Sequence, residues 1–266
     1  MLNAVRWNVS RKRSRFVEAD VIVLSLGKSG RTWLRFMLHK YLSLAFDVPF
    51  DPIRVEGVGV PRITYSHELA SHARDDRWQH RLVGKSILPV RVAWERRLVL
   101  LGRDPRDVIV SSFHHKSERS RRAQCSLPEF VRHPRWGIHG LVDVLNDWHD
   151  RFGPHPALVE TSYEGLHADP VGELTVVLEG LGLPVDRASV AAAVQFASFD
   201  RMRAAETAGE WQDHRLRPGD PDRPDSFKVR RGRVGGYRQA LDAASIAYCD
   251  RAVARLHPAY GYVPGE

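Results

Sequence analysis

The chain has 266 residues and a formal net charge of +8, with 43% hydrophobic and 27% charged residues, which are ordinary proportions for a globular protein. The basic balance favours anionic ligands, but no DNA- or RNA-binding motif is present, so we expect no nucleic-acid partner. Cys125 and Cys249 form neither a metal-binding pattern nor a disulfide framework. The dominance of Arg over Lys is typical of a GC-rich bacterial genome.

The N-terminal arm, residues 1–17, is basic but lacks the apolar core of a secretory signal. No stretch approaches the roughly 20 apolar residues of a membrane span. We therefore expect a cytoplasmic protein without a membrane span. Because no internal repeat or long low-complexity segment divides the chain, we expect a single domain over residues 1–266. The oligomeric state stays open, with a homodimer as one alternative.

Apolar runs and helical periodicity alternate along the chain. The predicted strands are residues 21–26, 62–66, 98–102 and 157–161. The predicted helices are residues 32–45, 105–114, 140–152, 169–182, 186–195 and 240–256. This alternation predicts an α/β fold in which helices flank a central parallel sheet.

Two segments lack an apolar period and are predicted to be loops. Residues 47–61 are rich in Pro and Gly, and residues 206–231 are polar and contain Pro218, Pro221 and Pro224. Long loops of this kind often cover binding sites, so residues 206–231 are a candidate lid.

A glycine loop with a lysine, residues 26–33, joins the first predicted strand to the first predicted helix. Backbone N–H groups and the helix dipole attract an anion at such a junction. Lys28 adds a cation, and Ser29 and Thr32 add hydroxyl donors. The loop is not a Walker A motif, because Ile22 occupies the position of that motif's first glycine. We therefore predict a site for a phosphate-like anion.

Two later segments also carry cations. Arg103 follows the third predicted strand, and Ser111 lies two turns into the next predicted helix, so the two side chains could reach one anion. Pro105 suits the first turn of that helix, and Asp104 can cap it. Residues 227–237 are dense in cations and glycine. Three separate cationic elements predict a ligand with more than one phosphate-like group.

Together these motifs resemble those of the sulfotransferases that use 3′-phosphoadenosine 5′-phosphosulfate (PAPS). Residues 27–33 match the family's Pro-Lys-Ser-Gly-Thr-Thr-Trp type of loop, and Arg103 and Ser111 keep the family's Arg-to-Ser spacing. Residues 230–232 and 235–237 are similar to its Arg-Lys-Gly motif, which is followed by Gly and an aromatic residue. The three motifs occur in family order over nearly the whole chain. The resemblance implies a sulfotransferase fold similar to that of P-loop NTPases.

The resemblance also implies roles for individual residues. Lys28 would stabilise the leaving 5′-phosphate and the sulfuryl oxygens, and Ser111 would join it in catalysis. The implied cofactor-binding residues are Lys28, Ser29, Gly30, Arg31, Thr32, Trp33, Arg103, Ser111, Tyr163, Ser198, Phe199, Arg230, Arg231 and Gly232. In this set Arg103, Ser111 and residues 230–232 would bind the 3′-phosphate, and the aromatic residues would enclose adenine. Adenosine 3′,5′-bisphosphate (PAP) would be the product, and no metal would be required.

His67 is the candidate general base. It follows the second predicted strand, whose carboxyl end should face the same crevice as the glycine loop, and histidine titrates in the right range. The family places a catalytic His here after Lys and Thr, whereas this chain has Tyr65 and Ser66. Glu68 could orient the imidazole. His114 and His115 remain rival candidates.

The acceptor is expected to be a small molecule or carbohydrate that offers a hydroxyl, or else an amine. Polar and aromatic side chains in residues 74–81 could line its pocket. Two other functions stay open: a P-loop-type small-molecule kinase and a non-catalytic binder of nucleotides or polyanions. The missing Walker glycine, together with the lack of an evident Mg²⁺-binding Asp after a strand, disfavours the kinase.

Overall fold

The computed structural model describes residues 14–67, 88, 90–119, 122–211, 213, 216–220, 226–229 and 232–265. Its strands are β1 Val21–Ser25, β2 Ile63–Ser66, β3 Arg97–Gly102 and β4 Leu158–Ser162. They form a parallel sheet of order β2-β1-β3-β4. This confirms the predicted α/β fold with a central parallel sheet.

Helices follow the strands on both sides of the sheet. In chain order they are α1 Arg31–Ala45, α2 Val90–Trp94, α3 Pro105–His114, α4 Leu127–Arg132, α5 Ile138–Phe152, α6 Tyr163–Ala168, α7 Pro170–Gly180, α8 Arg187–Phe196, α9 Phe199–Ala208, α10 Tyr237–Ala240 and α11 Ala243–Val253. Residues 14–17 form a further helical turn, and the described residues also include a π-helix (His115–Arg119) and a 3₁₀-helix (Pro258–Tyr260).

The longest helix that the sequence did not predict is α9. Its first turn contains Asp200 and Arg201, and Met202 and Ala205 are its only buried apolar residues, so its apolar period is weak. It ends at Ala208, followed by Gly209 in the left-handed conformation (φ 66°), which is a common way to end a helix. The helix therefore extends three residues into the segment 206–231 that was predicted as a loop.

The sheet is covered on both faces because successive side chains of a strand point to opposite sides. Ile22 and Leu24 of β1 lie in one buried cluster, which includes Val108 of α3 and Trp148 of α5. The alternate residues of β1 lie in a second cluster with residues of α1, α7 and α8: Val21, Val23, Leu34, Leu38, Leu178 and Val190. These two apolar layers fix the sheet between two sets of helices.

The strand register brings the four carboxyl ends to one edge of the sheet. Ser25 pairs with Leu101, next to the end of β3, and Gly102 pairs with Ser162 at the end of β4. Ser66, the last residue of β2, pairs with Leu24. Residues that follow these strands are therefore placed at a common edge, where parallel α/β sheets bind ligands.

Within the described ranges, no helix is long and apolar enough to cross a bilayer. The single domain over residues 1–266 and the basic arm over residues 1–17 stay predictions, and residues 1–13 of the arm lie outside the described residues. Residues 74–81, the predicted acceptor segment, also lie outside the described residues.

Candidate functional site

The turn between β1 and α1, residues 26–30, is named the phosphate loop. Gly30 has a φ of 84°, and a Cβ added to it would lie 2.6 Å from Cδ2 of Tyr163. Lys28 also has a left-handed backbone, with a φ of 79°, which is uncommon for a residue with a side chain. Backbone strain of this kind is worth about 1–2 kcal/mol and is often retained at functional sites.

The start of α1 is suited to an anion. Gly30 precedes the helix and offers no side-chain cap, and no acidic residue lies in the first turn. The first N–H groups of the helix and its dipole therefore remain available to a negatively charged group. The Ser29 side chain is fully buried, and its Oγ has no hydrogen-bond partner among the described residues. A buried hydroxyl without a partner costs about 1–3 kcal/mol, which a bound acceptor atom would offset.

Arg103 connects the phosphate loop to a later stretch of the chain around residue 233. Its guanidinium donates to the carbonyl oxygens of Lys28 and Arg233, each at 3.0 Å. The guanidinium carbon lies 3.8 Å from the centre of the Tyr163 ring, and one nitrogen lies 3.6 Å from the Asp107 carboxylate. The three cationic elements of the sequence, including the late segment (described residues 226–229 and 232–237), therefore meet at one side chain.

Asp107 holds the late segment onto α3. Its side chain is buried and accepts the backbone N–H groups of Gly235 at 2.8 Å and Tyr237 at 2.9 Å. Hydrogen bonds to an ionised carboxylate are stronger than those between neutral groups. Asp107 therefore anchors the late segment, a role that spacing alone did not reveal.

The predicted adenine-binding side chains form a series of contacts. The rings of Trp33 and Tyr163 meet edge to face with centroids 5.8 Å apart, and burial raises the pKa of the Tyr163 hydroxyl. Phe199 is 40% exposed, and a Cβ on Gly232 would lie 2.7 Å from its ring. Ser198 precedes α9 without forming a side-chain cap. Within the described residues, the indole Nε1 of Trp33 is buried without a hydrogen-bond partner.

His167 also belongs to this region, although no sequence pattern predicted it. It lies on α6, one turn after Tyr163, with the two rings 6.2 Å apart. Its Nε2 donates to the carbonyl oxygen of Gly232 at 2.9 Å. An exposed histidine outside the family motifs does not stand out in a chain with thirteen histidines.

His67 lies beside the phosphate loop. Its Nδ1 is 2.7 Å from the carbonyl oxygen of Ser25, and its Cε1 is 4.0 Å from the position of a Cβ on Gly27. Because a carbonyl only accepts hydrogen bonds, Nδ1 carries the proton, and Nε2 is the basic nitrogen of the neutral ring. A hydrogen bond of this geometry favours the Nδ1–H tautomer, which is the one that a general base at this position would need.

The rival histidines lie at the far end of α3. His114 is its last residue and packs against Phe113, and His115 begins the π-helix. Ser111 lies on the same helix, two turns after Arg103, with a half-buried side chain. Arg31 and Thr32 begin α1 next to the phosphate loop.

Three of the candidate residues, Glu68, Arg230 and Arg231, lie outside the described residues. In the part of the chain that is described, no three His, Cys, Asp or Glu side chains cluster in a way that could hold a metal ion.

Tyr65 occupies the position of the family lysine before the catalytic histidine. Its hydroxyl is buried and has no hydrogen-bond partner in the described part of the chain. Burial raises the pKa of this hydroxyl, and the nearby cationic side chain of Arg35 opposes the rise. Tyr65 is therefore a neutral hydrogen-bond donor and does not replace the charge of a lysine.

A family model of the sulfotransferase domain matches residues 18–257. Sulfotransferase 2B1 of Homo sapiens is 24% identical over 245 residues, which cover 88% of this chain and 64% of the human protein. The Rattus norvegicus protein of the same name is 23% identical over 207 residues, covering 74% of this chain and 59% of the rat protein. The chain thus spans less than two thirds of the length of either relative.

Solved structures share the fold. A retinol dehydratase in complex with retinol and PAP superposes with a TM-score of 0.61 at 16% identity, covering 89% of this chain and 80% of the other. Mouse sulfotransferase SULT7A1 complexed with PAP has a TM-score of 0.61 at 16% identity, with 90% and 84% covered. Since the domain model also matches most of the sequence, the chain belongs to the sulfotransferase domain family.

Proposed function

We propose that this protein transfers a sulfuryl group from PAPS to a hydroxyl of a small-molecule or carbohydrate acceptor, with PAP as the second product. The observation that carries this proposal is the position of Arg103. Its guanidinium bonds to the backbone of both the phosphate loop and the late segment, so described residues of the three family motifs meet at this side chain. Membership of the sulfotransferase domain family supports the same reaction class.

The residues present fit the 5′ end of such a nucleotide. The phosphate loop offers the start of α1, the Lys28 ammonium and the buried Ser29 hydroxyl to one anion. Each of these groups stabilises negative charge, and the low exposure of the loop strengthens their effect. We assign the leaving 5′-phosphate and the sulfuryl oxygens to this loop, with Arg31 and Thr32 as further donors.

The 3′-phosphate and the adenine are assigned to the other side of the crevice. Arg103 has a buried Nε–H without an acceptor among the described residues, and Ser111 and the Gly232 backbone complete that set. Arg230 and Arg231 are proposed ligands by their place in the motif. Trp33, Tyr163, Ser198 and Phe199 would contact the adenine. The two solved structures described above carry PAP, which supports this choice of nucleotide.

His67 is assigned as the general base. PAPS supplies the activated sulfuryl group when it is bound. The Nδ1–H donated to Ser25 holds the ring so that Nε2 can take the proton of an acceptor hydroxyl. Lys28 stabilises the charge that develops on the departing phosphate, and positioning contributes the remainder of the rate. No residue in this scheme requires a metal.

The test is turnover of labelled PAPS with a panel of hydroxyl and amine acceptors. We expect acceptor-dependent release of PAP that persists in EDTA. In the same assay His67→Ala should lose about 10²-fold or more in kcat, the usual scale of a positioned base, and keep its affinity for PAP within a few-fold. The ascending limb of its pH–rate profile should disappear.

His139→Ala is the matched control, because His139 packs against Tyr248 of α11 and contacts Arg255. It should retain full turnover. A preference for ATP–Mg²⁺ over PAPS, or PAP binding without any acceptor-dependent turnover, would contradict the proposed function. A fully active His67→Ala variant would shift the assignment of the base to His114 or His115.

A further inference from the structure

A buried carboxylate outside the family motifs holds the late segment. Glu206 lies on α9 and is only 3% exposed. Its Oε1 accepts the backbone N–H of Lys228 at 2.6 Å, and its Oε2 accepts that of Val229 at 2.9 Å. Each carboxylate oxygen of Glu206 thus accepts a hydrogen bond from one of two consecutive peptide groups. Charge-assisted bonds of this kind are short and strong, and a buried carboxylate that loses them is destabilised.

Arg203 binds the same stretch from the previous turn of α9. Its Nη1 donates to the carbonyl oxygen of Val229 at 2.7 Å, and its guanidinium carbon lies 3.5 Å from the centre of the Phe227 ring. Residues three apart on a helix share a face, so Arg203 and Glu206 act together. They fix residues 227–229 on the second half of α9.

The first residue of α9 contacts the next described residue of the late segment. Phe199 packs against Gly232, which has a φ of 58°. A Cβ at this position would lie 2.7 Å from the Phe199 ring, so a larger residue would not fit. The carbonyl oxygen of Gly232 is held by His167. Because Gly232 is only three positions after Val229, the two lie within about 11 Å of each other. An anchor on Val229 therefore restricts where Gly232 can lie.

We propose that Glu206 is a positioning residue for nucleotide binding: it holds the backbone of Lys228 and Val229 on α9 so that Gly232 lies against Phe199. This inference rests on the proposed function, which assigns Gly232 to the 3′-phosphate and Phe199 to the adenine. Glu206 touches neither the nucleotide nor the acceptor. Its effect should therefore appear in the affinity for the nucleotide and not in the chemical step.

The test uses Glu206→Gln, which keeps the shape of the side chain but replaces one acceptor oxygen with an NH₂ donor. That NH₂ would face a backbone N–H, so one of the two bonds is lost. By calorimetry we expect the Kd for PAP to rise about 10-fold, the value of one such bond. The KM for PAPS should rise in parallel, and kcat at saturating PAPS should stay within two-fold of the wild type. The reason is that a loss of binding shared equally by the ground state and the transition state raises KM and leaves kcat unchanged.

Matched variants separate positioning from general damage. Glu210→Gln changes an exposed carboxylate just past the end of α9 and should leave the Kd for PAP unchanged. Glu206→Asp keeps the charge and should recover part of the affinity. Arg203→Met removes the bond to the Val229 carbonyl from the neighbouring turn and should also raise KM without lowering kcat. It provides the same comparison if Glu206→Gln fails to fold.

Two results would overturn the inference while leaving the proposed function intact. The first is that folded Glu206→Gln and Arg203→Met variants bind PAP with wild-type affinity. The second is that these variants lose kcat while their KM for PAPS is unchanged. A wild-type protein that does not bind PAP would overturn the proposed function itself, and this inference with it.

Discussion

The phosphate loop and the late segment lie at the same edge of the sheet, but they are held there in different ways. The phosphate loop is a tight turn between β1 and α1, and its shape comes from its own backbone, with left-handed residues at Lys28 and Gly30. From residue 227 to the start of α10, the described part of the late segment has no strand or helix. Side chains from other elements hold it through its peptide groups: Arg103, Asp107, His167, Arg203 and Glu206.

This contrast has a consequence for mutation. A loop with local structure is disrupted by changes within it, because its shape depends on the φ angles of its own residues. A segment held by distant carboxylates and guanidinium groups can be disrupted from outside, without any change in its own sequence. The 5′ side of the proposed nucleotide site should therefore depend mainly on the phosphate loop, with Arg103 and Tyr163 packed against it, and the 3′ side on residues spread over α3, α6 and α9.

The largest expected effect is at Lys28. Lys28→Ala removes the cation proposed to stabilise the leaving phosphate, and we expect kcat to fall by about 10²–10³-fold and PAP to bind more weakly. Lys28→Gly should lose as much turnover, yet raise the free energy of unfolding by about 0.5–1 kcal/mol, since it relieves the left-handed strain. Steady-state kinetics and urea unfolding measure the two effects.

Lys40→Ala provides the control, because Lys40 is also on α1 but lies over the Phe196 ring. It should retain wild-type kcat. An active Lys28→Ala protein would remove the phosphate loop from the mechanism, and a Lys28→Gly protein that is less stable would show that the strain is not relieved.

The next effect concerns Arg103, which joins the two regions. Arg103→Ala should weaken PAP binding by about 1.5–3 kcal/mol, the scale of a hydrogen bond to a charged group, and should leave AMP binding nearly unchanged. Calorimetry with both nucleotides measures the difference. Equal losses for PAP and AMP would mean that Arg103 acts only by holding the phosphate loop, and would contradict its assignment to the 3′-phosphate.

The smallest expected effect tests whether the phosphate loop is shaped locally. Gly30→Ala introduces a Cβ 2.6 Å from Tyr163 at a φ of 84°, so it adds a steric clash to the left-handed strain. Gly209→Ala adds a Cβ at a φ of 66° with no atom within 4 Å, so it introduces the strain alone. We expect Gly209→Ala to lower the free energy of unfolding by about 1 kcal/mol and Gly30→Ala by more than that.

PAP affinity should fall only in Gly30→Ala, because Gly209 follows α9 and lies outside the phosphate loop. Chemical unfolding and calorimetry on both variants provide the comparison. Equal losses of stability would show that Tyr163 moves aside without cost, and unchanged PAP affinity in Gly30→Ala would contradict the assignment of this loop to the nucleotide.

The sequence predicted the sheet well because strands depend on local patterns. Each of the four strands was predicted to within one residue at either end, since apolar runs bounded by polar residues identify buried strands. The weakly amphipathic α9 was missed, and the predicted loop 206–231 began too early, because the helix is held by tertiary contacts of Arg203 and Glu206 rather than by an apolar stripe.

The sequence by itself determined the α/β fold and the three cationic motifs, because strand periodicity and the glycine loop are encoded within a few neighbouring residues. Only the tertiary structure decided that Asp107 and Glu206 bind backbone N–H groups of the late segment, and that His167 binds Gly232. The physical reason is separation along the chain. Hydrogen bonds between a side chain and a peptide group more than twenty residues away leave no periodic or spacing signal, and they form only once the sheet has brought the elements together.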